Sequence, residues 1–117
     1  MNNNLKSNIN DSISPDAYGC WIDCGSESGN TLSYSIIKLA ISYGYDVDEV
    51  QLEKDMAEYD DLSLEDQADV SQGLWEESAL ALDWMNSQIE DKVFHFYVDD
   101  NCLFLNWEDE HGTEYNV

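Results

Sequence analysis

The period of apolar and polar positions changes along the chain, and each change marks a structural element. Ala17 to Cys24 (AYGCWIDC) alternates small or polar residues with larger ones and is rich in strand formers, so it reads as a first β-strand. Gly25 to Gly29 (GSESG) breaks that strand. Asn30 or Thr31 then caps a helix running to about Tyr43, in which Leu32, Ile36, Ile37, Leu39, Ala40 and Ile41 supply a broad apolar face and Gly44 the stop. Asp46 to Asp61 carries a weaker helical pattern: Leu52, Met56 and Tyr59 share one face, and Val47 and Val50 a neighbouring one.

Ser63 followed by Asp66 resembles a capping box and opens the longest predicted helix, to about Gln88, with Gly73 weakening its middle. After Glu90 and Asp91 the helical period gives way to alternation. Val93 to Val98 (VFHFYV) and Cys102 to Trp107 (CLFLNW) flank Asp99, Asp100 and Asn101, the pattern of a β-hairpin with a short turn. A strand, three helices and a hairpin in this order predict an α+β fold, a small antiparallel sheet of the N-terminal strand plus the C-terminal hairpin, covered by two or three helices. Residues 1–14, Asn-rich at the start, read as a flexible polar arm, and residues 15–117 as a single globular acidic domain.

Composition changes this picture through charge. Twenty-six Asp and Glu stand against four lysines and no arginine, a net charge of -22, whereas a magnitude of roughly 2 to 8 is enough to keep a small domain in solution. An apolar content of 43%, with four Trp, seven Tyr and three Phe, supplies a core and argues against the disorder that high charge otherwise signals. The start of the chain lacks the basic and apolar stretches of a signal peptide, and no run approaches the ~20 apolar residues of a membrane span. The predicted location is cytoplasmic, with no membrane association.

Catalytic and metal motifs fail on chemistry. The GSESG loop places Glu27 where a nucleophile elbow needs Ser, and it lacks the Lys and Ser or Thr of a phosphate loop. Three cysteines, Cys20, Cys24 and Cys102, cannot close into a disulfide framework and read as reduced, mostly buried thiols. A zinc site from these and His95 is disfavoured, because Cys20 and Cys24 on one strand stand about 13 Å apart at ~3.3 Å per residue. Asp46, Asp48 and Glu49, or Asp99 to Asn101, offer oxygen ligands outside the spacing of a calcium loop. His95 belongs on the outer face of the hairpin, opposite Phe94, Phe96 and Val98, and His111 in a polar tail. No cofactor, metal or enzymatic activity is implied.

The arrangement of charge carries the functional reading. Between Asp46 and Asp69 eleven carboxylates face only Lys54, a local net charge of -10. Projected at 100° per residue, the long helix places Leu64, Ser71, Leu74, Trp75, Ser78, Ala81, Leu82 and Met85 on a core stripe. Glu65, Asp66, Asp69, Glu76, Glu77 and Asp83 fall on the opposite side over roughly 27 Å, with Leu80 and Trp84 set among them either as packing residues or as an apolar anchor. Adding Asp55, Glu58, Asp60 and Asp61 gives a candidate partner-binding surface. Duplex DNA presents roughly 16 phosphates over the same length, a count the carboxylates approach if the second helical segment and the tail (Glu108, Asp109, Glu110, Glu114) share the face.

In size, acidity and scarcity of basic residues the chain resembles the small acidic anti-restriction and anti-CRISPR proteins of phages and plasmids, several of which imitate nucleic-acid charge. The resemblance implies an inhibitor that occupies the cationic, nucleic-acid-binding surface of a host defence complex and does not itself bind nucleic acid. It carries no residue roles, since the group shares charge and not a fold. The alternative is an immunity protein or adaptor that neutralises one basic partner, such as a toxin nuclease, through a specific patch.

Overall fold

The computed structural model describes residues 8–26, 28–91 and 93–107. Short helix α1 (Ile9–Ser12) is followed by a 3-10 turn (Pro15–Ala17), strand β1 (Gly19–Asp23) and helices α2 (Gly29–Ser42) and α3 (Glu49–Glu58). A second 3-10 turn (Tyr59–Asp61) leads into α4 (Leu64–Gln88), and strands β2 (Phe94–Asp99) and β3 (Cys102–Trp107) close the described chain. The strands form one antiparallel sheet in the order β1-β3-β2. This is the predicted α+β architecture.

Local chemistry explains most boundaries. Ser63 Oγ accepts from the Asp66 amide at 3.2 Å and caps α4, as the sequence predicts. Asp48 Oδ1 does the same for α3 through the Gln51 amide. Gly44, at φ 112°, ends α2: its amide bonds the Ile41 carbonyl and the Tyr45 amide the Ala40 carbonyl, the paired closure of a Schellman motif. The start of α2 differs from the expectation: Ser28 rather than Asn30 or Thr31 occupies the N-cap position, without a side-chain capping hydrogen bond, and the helix begins at Gly29 within the glycine loop. The hairpin turn is also tighter. Asp99 pairs with Cys102, leaving Asp100 and Asn101 at φ 51° and 59°, the left-handed pair of a two-residue turn that short polar side chains tolerate.

β1 and β3 slip register between Cys20 and Ile22, so Trp21 is a bulged residue. The bulge lets consecutive residues, Trp21 and Ile22, both pack on the core. The Trp21 ring meets Phe96 edge-on at 4.9 Å, and its Nε1 donates to the Ala17 carbonyl at 2.7 Å.

α2 and α4 pack against each other and against one face of the sheet. Their buried Leu32, Ile36, Ile37, Ala40, Leu74, Ala81 and Met85 meet Phe94, Phe96, Leu103 and Leu105 of the hairpin. α3 adds Leu52 at the side. Tyr59 locks its turn to α4 through a hydroxyl–hydroxyl bond with Ser71 and through its carbonyl, which accepts from the Gln67 side-chain Nε2.

Residues 8–14 depart from the flexible arm predicted for 1–14. Ile9 is 3% exposed, Asn10 Nδ2 donates to the Gln88 carbonyl at 3.0 Å, and the Glu90 amide donates to Asn10 Oδ1 at 2.8 Å. One amide side chain thus ties α1 to the end of α4, a contact between residues about eighty positions apart. Residues 1–7 lie outside the described residues. No described helix is long and apolar enough to cross a membrane.

Candidate functional site

The acidic surface is built on α4 and the segment before it. Glu65, Asp69, Glu76 and Asp83 are exposed, and at 100° per residue they fall within about 40° of one another, a line along the outer face of the helix. Asp66 is exposed beside this line in the first turn, where Glu65 and Asp66 also face the positive end of the helix dipole. Glu58, Asp60 and Asp61 are exposed just upstream.

Asp55, Asp69 and Glu77 line a cleft between α3 and α4 of about 420 Å³, together with Asp48, Gly73 and the buried Leu52 and Leu74. Glu77 is half-buried and stands about 80–120° around the helix from the outer line, on the side that faces the cleft. It accepts a short hydrogen bond from the Tyr45 hydroxyl, and burial followed by this carboxylate pushes the Tyr45 pKa up to about 12.

Little of this charge is neutralised. Among the described residues the ion pairs belong to Lys38 of α2, whose Nζ lies 2.5 Å from Glu49 and 2.6 Å from Glu53. Lys38 and then the Tyr34 hydroxyl, at 2.8 Å, hold the Glu53 carboxyl below its usual range, and the two carboxylates raise Lys38 in return. This knot joins α2 to α3 and uses the cation on structure. Asp55 and Glu76 receive hydrogen bonds from Gln51 and Gln72, neutral amides that fix the carboxylates and leave their charge intact.

The apolar positions near the surface need correction. Trp84, a candidate anchor, packs half-buried against the core with Tyr45 at 5.5 Å between ring centroids. Leu80 does stand exposed, at 59%. Leu64 and Trp75, assigned to the core stripe by projection, are 85% and 61% exposed. Leu64 and Trp75 lie at one edge of that stripe, beyond the buried Leu74, Ser78, Ala81 and Met85, and Trp75 borders an open groove between α2 and α4.

On the outer face of the sheet Tyr97 stacks on Phe104 and His95 lies 6.1 Å from Tyr97. The three cysteines form no disulfide with one another, and only Cys24 is buried, Cys20 being exposed and Cys102 half-buried; burial followed by Asp23 raises the Cys102 thiol. Among the described residues no group of three His, Cys, Asp or Glu is placed to hold a metal ion. Glu27, His111 and the acidic tail from Glu108 lie outside the described residues. Comparison with known proteins matches no family model, no curated protein and no solved structure.

Proposed function

We propose that this protein is an inhibitor that occupies a positively charged, nucleic-acid-binding surface of a host defence complex in the cytoplasm, presenting carboxylates in place of phosphates. The observation that carries the reading is the unneutralised line on α4. Glu65, Asp66, Asp69, Glu76 and Asp83 are all exposed over roughly 27 Å of helix, a length along which one DNA strand carries about eight phosphates at ~3.4 Å each. Glu58, Asp60 and Asp61 thicken the charge at one end. Over that length the line carries five carboxylates against about eight phosphates of one strand and about sixteen of both. A field of this sign steers a basic partner into encounter and repels nucleic acid.

The immunity or adaptor reading also has an observation in its favour, the exposed Trp75 beside the acidic line, since specific protein partners are held by aromatic anchors. Immobilised protein incubated with a host-cell extract separates the two. Mimicry predicts capture of a nucleic-acid-binding protein that duplex DNA elutes. A captured partner that duplex DNA leaves in place contradicts mimicry and supports the specific-patch reading.

A further inference from the structure

Between the first turns of α2 and the middle of α4 lies an open groove of about 590 Å³. Leu32 and Ile36 form one wall, Trp75, Ala79 and Leu82 the other, and Val98 closes the hairpin end. Among the described residues no acidic or basic side chain lines it, in a chain with 26 carboxylates. Two hydroxyls that face it are already bonded within the protein, Ser78 to the Trp75 carbonyl at 2.8 Å and Ser71 to Tyr59 at 3.1 Å.

The apolar surface does not stop at the groove. Leu64, Ala68, Trp75 and Ala79 are exposed at spacings of four, seven and four residues, so they form one stripe along α4 that ends at Leu82. Glu65, Glu76 and Asp83 each follow a stripe residue by one position and run as a parallel acidic rail. Leu64 to Leu82 spans about 27 Å, the length of an α-helix of about 18 residues.

We propose that the Trp75 groove and its stripe seat the apolar face of a basic amphipathic α-helix belonging to the partner protein, with Glu65, Glu76 and Asp83 pairing with lysines or arginines on that helix's flank. Charge complementarity selects this occupant. A second copy of the chain would bring two surfaces of the same sign together at -22 each, and a small apolar ligand would fill the groove and leave Leu64 and Ala68 uncovered. The inference rests on the reading that the acidic face receives a basic partner, and it adds that recognition has an apolar, shape-dependent component.

The test uses the full chain and two fluorescent Lys/Leu/Ala peptides of about 18 residues and identical composition, titrated by anisotropy at about 0.15 M salt. In one the leucines fall on a single helical face; in the other they are dispersed around the helix. The amphipathic peptide should bind at least about tenfold tighter. Trp75→Ala should remove that advantage, whereas Val50→Ala, an exposed apolar position on α3 away from the groove, should keep it; circular dichroism verifies that both variants fold. Equal affinity for the two peptides, or an unchanged preference in Trp75→Ala, overturns the groove while leaving the acidic-face reading standing. Absence of binding by either peptide counts against both. A wild-type dimer in sedimentation equilibrium that Trp75→Ala converts to monomer would make the groove a self-interface and also overturn the proposal.

Discussion

Asn86 holds the free edge of the sheet, and removing its amide should be the most damaging single polar change among those argued from this structure. Among the described strands β2 lies at the edge of the sheet, with β3 on one side only. At Phe96 the Asn86 side chain takes the place of a strand on the other side: the Phe96 amide donates to Oδ1 at 2.7 Å and Nδ2 donates to the Phe96 carbonyl at 3.1 Å. Two hydrogen bonds at about 0.5–1.5 kcal/mol each give roughly 2 kcal/mol for Asn86→Ala. For a domain of this size that is a fall in Tm of roughly 8–10 °C. Asn86→Asp keeps the acceptor but sets a carboxylate against the Phe96 carbonyl, so it should be at least as destabilising at neutral pH. Urea unfolding and thermal melts of the three proteins measure this. The freed edge should also promote association at high concentration, seen by light scattering. A Tm for Asn86→Ala within about 2 °C of wild type would refute the clamp, because two lost hydrogen bonds cannot be that small unless water replaces them fully.

Other consequences follow from charge and helix chemistry. The Tyr45 pKa, pushed up to about 12, lies above its unfolded value of about 10, so its contribution is fully present below about pH 10 and lost as pH rises through about 12; Tyr45→Phe should flatten that alkaline loss in urea titrations, and an unchanged pH profile would refute it. Crowded carboxylates repel within a Debye length of about 10 Å at 0.1 M salt, so Tm should rise with NaCl, and a flat response would mean that the charge is better dispersed than its positions indicate. Gly73 lies inside α4 with nothing within 4 Å of an added Cβ, so Gly73→Ala should raise stability by about 1 kcal/mol in urea melts; destabilisation would show that the cleft beside it needs the space.

The elements readable from sequence are those whose signals are local. Ser63 with Asp66, Gly44, and the alternation on either side of Asp100 and Asn101 each act within a few residues, and each marks the boundary found in the fold. The sequence missed what depends on distant partners. Asn10 lies in a polar stretch without periodicity, and its bonds to Gln88 and Glu90 reach across about eighty positions. Trp21 follows strand alternation until the bulge turns it and Ile22 toward the same side. The acidic face was legible because exposure of Glu65, Asp69, Glu76 and Asp83 follows from helical angle alone. The partner of Glu77 was not, because its bond to Tyr45 joins residues thirty-two positions apart, and the exposure of Trp75 was not, because it depends on how closely α2 packs beside α4.

The central claim is that carboxylates on α4 stand in for phosphates, and competition with nucleic acid tests it most directly. With the captured partner in hand, the apparent Kd for a labelled duplex is measured at increasing concentrations of this protein, then repeated with Glu65→Gln, Asp66→Asn, Asp69→Asn, Glu76→Gln and Asp83→Asn combined. Mimicry predicts that the apparent Kd rises in proportion to the wild-type protein, that the effect weakens steeply with salt, and that the folded five-fold variant loses it while each single change costs little. Full duplex binding in the presence of saturating wild-type protein, or competition undiminished in the five-fold variant, would contradict the account.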